Sequence, residues 1–150
     1  MYFVDRNKIT EALQYVDQLL VLYKKEDDWC RSEVHTLALE RLVHSIIEAV
    51  VDVGNSMIDG FIMRDPGSYE DIIDIMDDEN VISSETAEPL KEVIRLRDML
   101  VRDFIHVDHQ QVVKTFDQNL EAVEQFIPSV FHYLENELGP VSAFLPEDEA

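Results

Sequence analysis

The residues best suited to chemistry lie in one stretch, Leu90 to His109, which reads LKEVIRLRDMLVRDFIHVDH. At helical period Val93, Leu100 and Phe104 share a stripe, and Arg97 falls on that stripe with them. A guanidinium has five donors and cannot lose its proton, so leaving it unpaired among valine and leucine costs several kcal/mol. Arg97 therefore requires a partner, an interface or a ligand. It can be a structural arginine, its stem packed along the core and its head reaching an acid on a neighbouring helix, or it can hold an anion. Arg95, Asp98, Arg102 and His109 follow a second stripe at spacings of three, four and seven, and His106 is expected one turn beyond Arg102. Asp98 and Arg102 form an i,i+4 pair of opposite sign, which on an exposed helix contributes only a few tenths of a kcal/mol.

The elements that position this stretch must come from a chain of 150 residues, which suits a single domain over 1–138 able to bury about two-thirds of its unfolded surface. Hydrophobic residues make up 46% of the sequence and glycine plus proline only nine positions, the profile of a globular, helical chain. No apolar run approaches the roughly 18 residues of a membrane span, and MYFVDRNK lacks the apolar core of a signal peptide, so a cytoplasmic protein without a membrane partner is expected. The single Cys30 cannot form an internal disulfide, which fits a reducing compartment, and no motif around it supports a nucleophile. A net charge of -20 argues against wide, nonspecific nucleic-acid binding and leaves no expectation of DNA as a partner. A small local RNA site remains open, because four of the twelve Lys and Arg residues (Lys91, Arg95, Arg97 and Arg102) fall between 91 and 109.

Periodicity predicts an all-α chain, an antiparallel bundle of about five helices with a long central second helix. The first helix runs from about Asp5 to Lys24 on the stripe Ile9, Leu13, Val16, Leu20 and Tyr23. The second, from Trp29 or Ser32 to Met63, carries one stripe at Leu39, Val43, Ile46, Val50, Val53, Met57 and Phe61 and another at Ile47, Val51, Ile58 and Ile62. A helix apolar on two sides is buried on two sides, and Gly54 within it points to a close helix crossing. His35 and His44 on this helix read as surface or core-edge histidines. Ser68 caps a short helix over 69–78, whose Asp74, Asp77, Asp78 and Glu79 form a solvated acidic face without the alternating ligands of a calcium loop. Ser83, Ser84 or Thr86 starts the fourth helix, which carries the opening stretch to His109. The fifth spans about His109 to Leu138 with a kink at Pro128, and 139–150 follows as a flexible acidic tail.

The order of these elements, together with RLVHSIIEAVVDVGN, the DPGSYEDI turn and above all LRDMLVRDF followed by VD, resembles the HepT-like branch of the HEPN domain proteins from Arg6 to about Tyr133. That resemblance implies an all-helical homodimer. It also implies a metal-independent ribonuclease toxin that needs no cofactor, works at a cleft on the dimer twofold, and is paired with a nucleotidyltransferase antitoxin such as MntA. The family signature is an arginine, usually followed by asparagine, then a histidine after four to six residues and a tyrosine two further on. Here the arginine position is Arg97, while Asp98, Arg102 and Phe104 stand at the asparagine, histidine and tyrosine positions.

These departures bear on mechanism. Metal-independent RNA cleavage needs one group to take the proton of the 2′-hydroxyl and another to protonate the departing oxygen, and histidine suits both. Arg102 stays charged and can do neither, but beside Arg97 it can hold a phosphate. His106, four residues after Arg102, is the candidate for an offset acid or base. The family's antitoxins add AMP to the motif tyrosine, and Phe104 has no hydroxyl to accept it. Two functions follow as expectations: a ribonuclease using Arg97, Arg102 and His106, or a catalytically silent HEPN homodimer that binds a partner protein or a nucleotide.

Overall fold

A computed structural model describes residues 4–139, so the expected tail lies outside the described residues except for Gly139. Among the described residues the chain forms six α-helices and no strands: α1 (Arg6–Lys25), α2 (Glu33–Gly60), α3 (Tyr69–Asp78), α4 (Ser84–Arg97), α5 (His109–Gln118) and α6 (Leu120–Leu138). None of them is long and apolar enough to cross a membrane.

Five of the six helices start where a short polar side chain satisfies an orphan backbone N–H, α6 being the exception. Asp5, Ser32, Ser68, Ser83 and Asp108 accept from Lys8, His35, Asp71, Thr86 and Gln111. The expected stripe of α1 is buried at all five positions, and so is the whole first stripe of α2. Ile47, Val51 and Ile58 bury the second face of α2. Helix α2 is thus the spine, with α1 packed on one side, α3 on another, and α4 and α5 along its length. The close crossing announced by Gly54 is with α3, because a Cβ at Gly54 would sit 2.4 Å from Ile72 Cγ2.

Ile62 departs from expectation. It is 75% exposed, since α2 ends at Gly60 and the chain turns in a Schellman arrangement, with Met63 N–H donating to the Ile58 carbonyl at 2.9 Å. Ile62 takes the left-handed position of that turn at φ 57°, where a β-branched residue is strained.

The fourth helix also differs from the prediction. It ends at Arg97 and passes into a π turn over Asp98–Arg102, in which Asp103 N–H bonds to the Asp98 carbonyl at 3.2 Å, and 103–108 is irregular. Phe104 therefore leaves the stripe of Val93 and Leu100 and is 64% exposed, and His106 sits in a turn rather than one helical turn above Arg102. The expected fifth helix is divided at Asn119, whose side-chain amide donates to the Thr115 carbonyl at 2.8 Å and so closes α5. Helix α6 continues through Pro128 and ends at Gly139, a residue at φ 70°.

Candidate active site

Helix α4 buries Ala87, Leu90, Val93, Ile94 and Leu96 and brings Arg97, its last residue, to the flank of α2. The Arg97 Nε donates to Glu48 Oε1 at 2.8 Å. Its guanidinium carbon lies 4.3 Å from the centroid of the Tyr69 ring, so the first residue of α3 forms a cation–π floor beneath it. The side chain keeps 20% of its exposure. The hydrogen bond to Glu48, followed by the electrostatic contributions of Tyr69 and Glu48, holds the guanidinium more firmly protonated than usual. Of the outcomes that the sequence left open, the structure supplies an acid on a neighbouring helix, Glu48. It uses one of five N–H donors, which leaves the fork able to engage an anion.

The other motif positions are wetter. Arg102 and Asp98 are 80% and 79% exposed and approach to 3.8 Å, a loose i,i+4 pair. Arg102 follows Arg97 by five residues, a step of about 140° round a regular α-helix that the wider π turn over 98–102 reduces. His106 is 78% exposed, and its Nδ1 lies 3.5 Å from Asp103 Oδ1. Phe104 and Ile105 stand exposed next to it.

The structure adds Glu40 and Glu48, which sequence reasoning passed over, and joins to them His44, which it read as a surface or core-edge histidine. Glu40, His44 and Glu48 are spaced by four along α2 and form a polar edge between its apolar faces. His44 Nε2 lies 3.3 Å from Glu48 Oε1, the oxygen that accepts from Arg97. Further along, His109 Nε2 meets Glu40 Oε2 at 2.7 Å. The signal was present in the i,i+4 spacing, but which helix would face that edge depends on tertiary packing.

Other candidates carry no comparable arrangement. The acidic face of α3 is stitched to its surroundings, with Arg64 bridging Asp71 and Asp78 and Lys91 holding Asp74. Burial, followed by the charges of Asp28 and Asp108, pushes the Cys30 thiol up, away from the reactive thiolate. A depression of about 760 Å³ lies between the start of α1 and α2, around Arg6, Gln14, Asp52 and Ser56, and it includes none of the motif residues.

Comparisons with known proteins agree with this geometry. The model of the family "Ribonuclease HepT-like" matches residues 9–130. A protein of Bacillus subtilis (strain 168), described as "Putative RNase YutE", is 45% identical over 144 residues, covering 96% of this chain and 99% of the relative. The solved structure of YutE, described as a cytosolic protein of unknown function, superimposes with a TM-score of 0.92 over 96% of this chain and all of that one. A tri-AMPylated Shewanella oneidensis HEPN toxin, solved in complex with an MNT antitoxin, shares the fold at 21% identity with a TM-score of 0.70, covering 88% of this chain and 99% of that chain. With the family match running from the first turn of α1 to the middle of α6, this chain belongs to the HepT-like family.

Proposed function

We propose that this protein is a metal-independent ribonuclease of the HepT type, the toxin half of a toxin–antitoxin pair, acting at a cleft formed by two copies of the chain. The observation that carries the reading is Arg97. It is a guanidinium that cannot deprotonate, braced by Glu48 and Tyr69 at the arginine position of the family motif. In this role Arg97 holds the scissile phosphate, Arg102 reaches it from the exposed side of the π turn, and His106 is the proton carrier nearest the motif in sequence. Such clamping stabilises charge that builds up on phosphate oxygens in the transition state.

A second copy is favoured by the apolar residues around this edge. Val34 and Leu37 on α2 are 74% and 64% exposed, and Ile105 beside the π turn is 77% exposed. Solvent-facing residues of this size at both ends of one polar edge fit the rim of a symmetric contact. The family relatives support a nucleotidyltransferase as the antitoxin partner, since the Shewanella toxin was solved with an MNT antitoxin. Phe104 has no hydroxyl, so such a partner would control this chain by binding and not by AMP transfer at that position.

The second reading, a silent dimer that binds a partner protein or a nucleotide, is favoured by one observation. Arg102 occupies the histidine position and makes only a loose contact with Asp98. Cleavage of a mixed pool of structured and unstructured RNA by the purified, dimeric protein in EDTA separates the two. The ribonuclease reading predicts turnover; a well-folded dimer inert at concentrations far above enzyme level would leave the binding role.

A further inference from the structure

Resting on the ribonuclease reading, the geometry points to His44 as the general base of the site, since the motif's histidine position holds Arg102. Four of the five histidines occur in the neighbourhood of α2 and the 97–109 segment: His35, His44, His106 and His109. Distance decides among them. His44 and Arg97 converge on a single oxygen, Glu48 Oε1, at 3.3 and 2.8 Å, so the imidazole and the guanidinium can face the same phosphate group. His109 is tied to Glu40, which stands eight residues and about 12 Å along the helix from Glu48. His35 is occupied with Ser32, Arg31 and Glu26 at the start of α2. His106 is four-fifths solvent-exposed and touches only the acid of its own turn.

Of the two ring nitrogens Nε2 faces the Glu48 carboxylate, so a neutral ring with its hydrogen on that side keeps the Nδ1 lone pair as the proton acceptor. The His44 side chain is one-third exposed, open enough to meet a substrate and enclosed enough to hold one orientation. The charged groups that face it are Glu48 at 3.3 Å and, by their four- and three-residue spacing, Glu40 and Arg41 on its own helix, with Arg97 arriving from α4 at the same Glu48 oxygen.

The step then balances without an external reagent. The 2′-hydroxyl oxygen attacks phosphorus while its proton passes to His44 Nδ1, and Arg97 holds the phosphate oxygens. The bond from phosphorus to O5′ breaks, O5′ leaves with the electron pair and takes a proton from water, and the imidazolium returns its proton to solvent. The products are a 2′,3′-cyclic phosphate and a 5′-hydroxyl. Glu48 positions both His44 and Arg97 and does not touch the substrate.

The test compares RNA cleavage in EDTA by the full-length wild type and the His44→Ala, His44→Gln and His132→Ala variants, with pH profiles and added free imidazole. The role predicts a loss of about 100-fold or more in both His44 variants. It also predicts that the fall in rate on the acid side of the profile disappears, and that imidazole partly restores the alanine variant. His132→Ala, on α6 beside Asn136 and away from Glu48, should stay within tenfold of wild type. Full activity in His44→Gln, which keeps a donor for Glu48, would overturn the assignment, as would a loss that neither alters the pH profile nor responds to imidazole. If the wild type itself leaves RNA intact, the ribonuclease reading fails first and the assignment of His44 falls with it.

Discussion

Helix α2 has two working edges built on opposite principles. Toward α3 it is apolar and without slack, with Gly54 set against the Ile72 methyl and no room for a Cβ. Toward α4 and α5 it is polar and open, with Glu40, His44 and Glu48 engaging His109 and Arg97 while each keeps between a fifth and a half of its exposure. The first edge contributes to stability, because tight packing makes every displaced atom costly. The second keeps charged groups partly hydrated, where their pairing adds little to folding and leaves donors for a ligand. Under the proposed ribonuclease reading, chemistry falls to the edge that the fold can spare.

That division predicts a graded set of effects. Gly54→Ala forces the α2–α3 crossing apart and should lower unfolding stability in urea by about 1–3 kcal/mol, even though alanine is the better helix former. Removing the obstructing methyl in Gly54→Ala/Ile72→Ala should make the pair strongly non-additive; additive costs would mean that the crossing is not limited by that contact. A double-mutant cycle on Arg97 and Glu48, with both replaced by alanine, should return a smaller coupling of about 1 kcal/mol, since Glu48 is well exposed and screened by solvent. A coupling several times larger would place this edge among the stabilising contacts and erase the distinction.

Ile62→Gly should raise stability by about 0.5 kcal/mol, because relief of the left-handed strain outweighs the entropy gained by the unfolded chain. The smallest effect concerns Lys91, whose hydrogen bonds to Asp74 and Glu88 push its pKa from 10.5 up to about 12. A raised cation stabilises fully below 10.5 and loses that contribution as pH rises through about 12. The wild type should therefore show an extra base-side loss of about 0.5 kcal/mol that is missing in Lys91→Met, measured by denaturation across that window.

The apolar periodicity was legible along most of the chain because it depends on local spacing, as the buried stripes of α1 and α2 illustrate. The demand that Arg97 find a partner, an interface or a ligand was legible too, since an unpaired guanidinium beside the core is too costly. Three features were not. The π turn over 98–102 carries no composition signal, and it turned Phe104 outward and left His106 in a loop. Asn119 divides two helices through a side-chain hydrogen bond that competes with the backbone, while the more conspicuous Pro128 sits inside α6. His44 looked like an ordinary edge histidine, and only the arrival of α4 at Glu48 gives it a neighbour with which to act.

The most direct measurement is the ratio of RNA-cleavage rates in EDTA between Arg97→Ala and Arg102→Ala, each compared with wild type. Arg97 is braced against α2 and α3, and Arg102 is loose in solvent. The Arg97 variant should therefore lose about 100-fold or more, as removal of a preorganised charge stabiliser does, while the Arg102 variant stays within tenfold of wild type. Equal losses, or a larger loss at Arg102, would contradict a site built on the polar edge of α2.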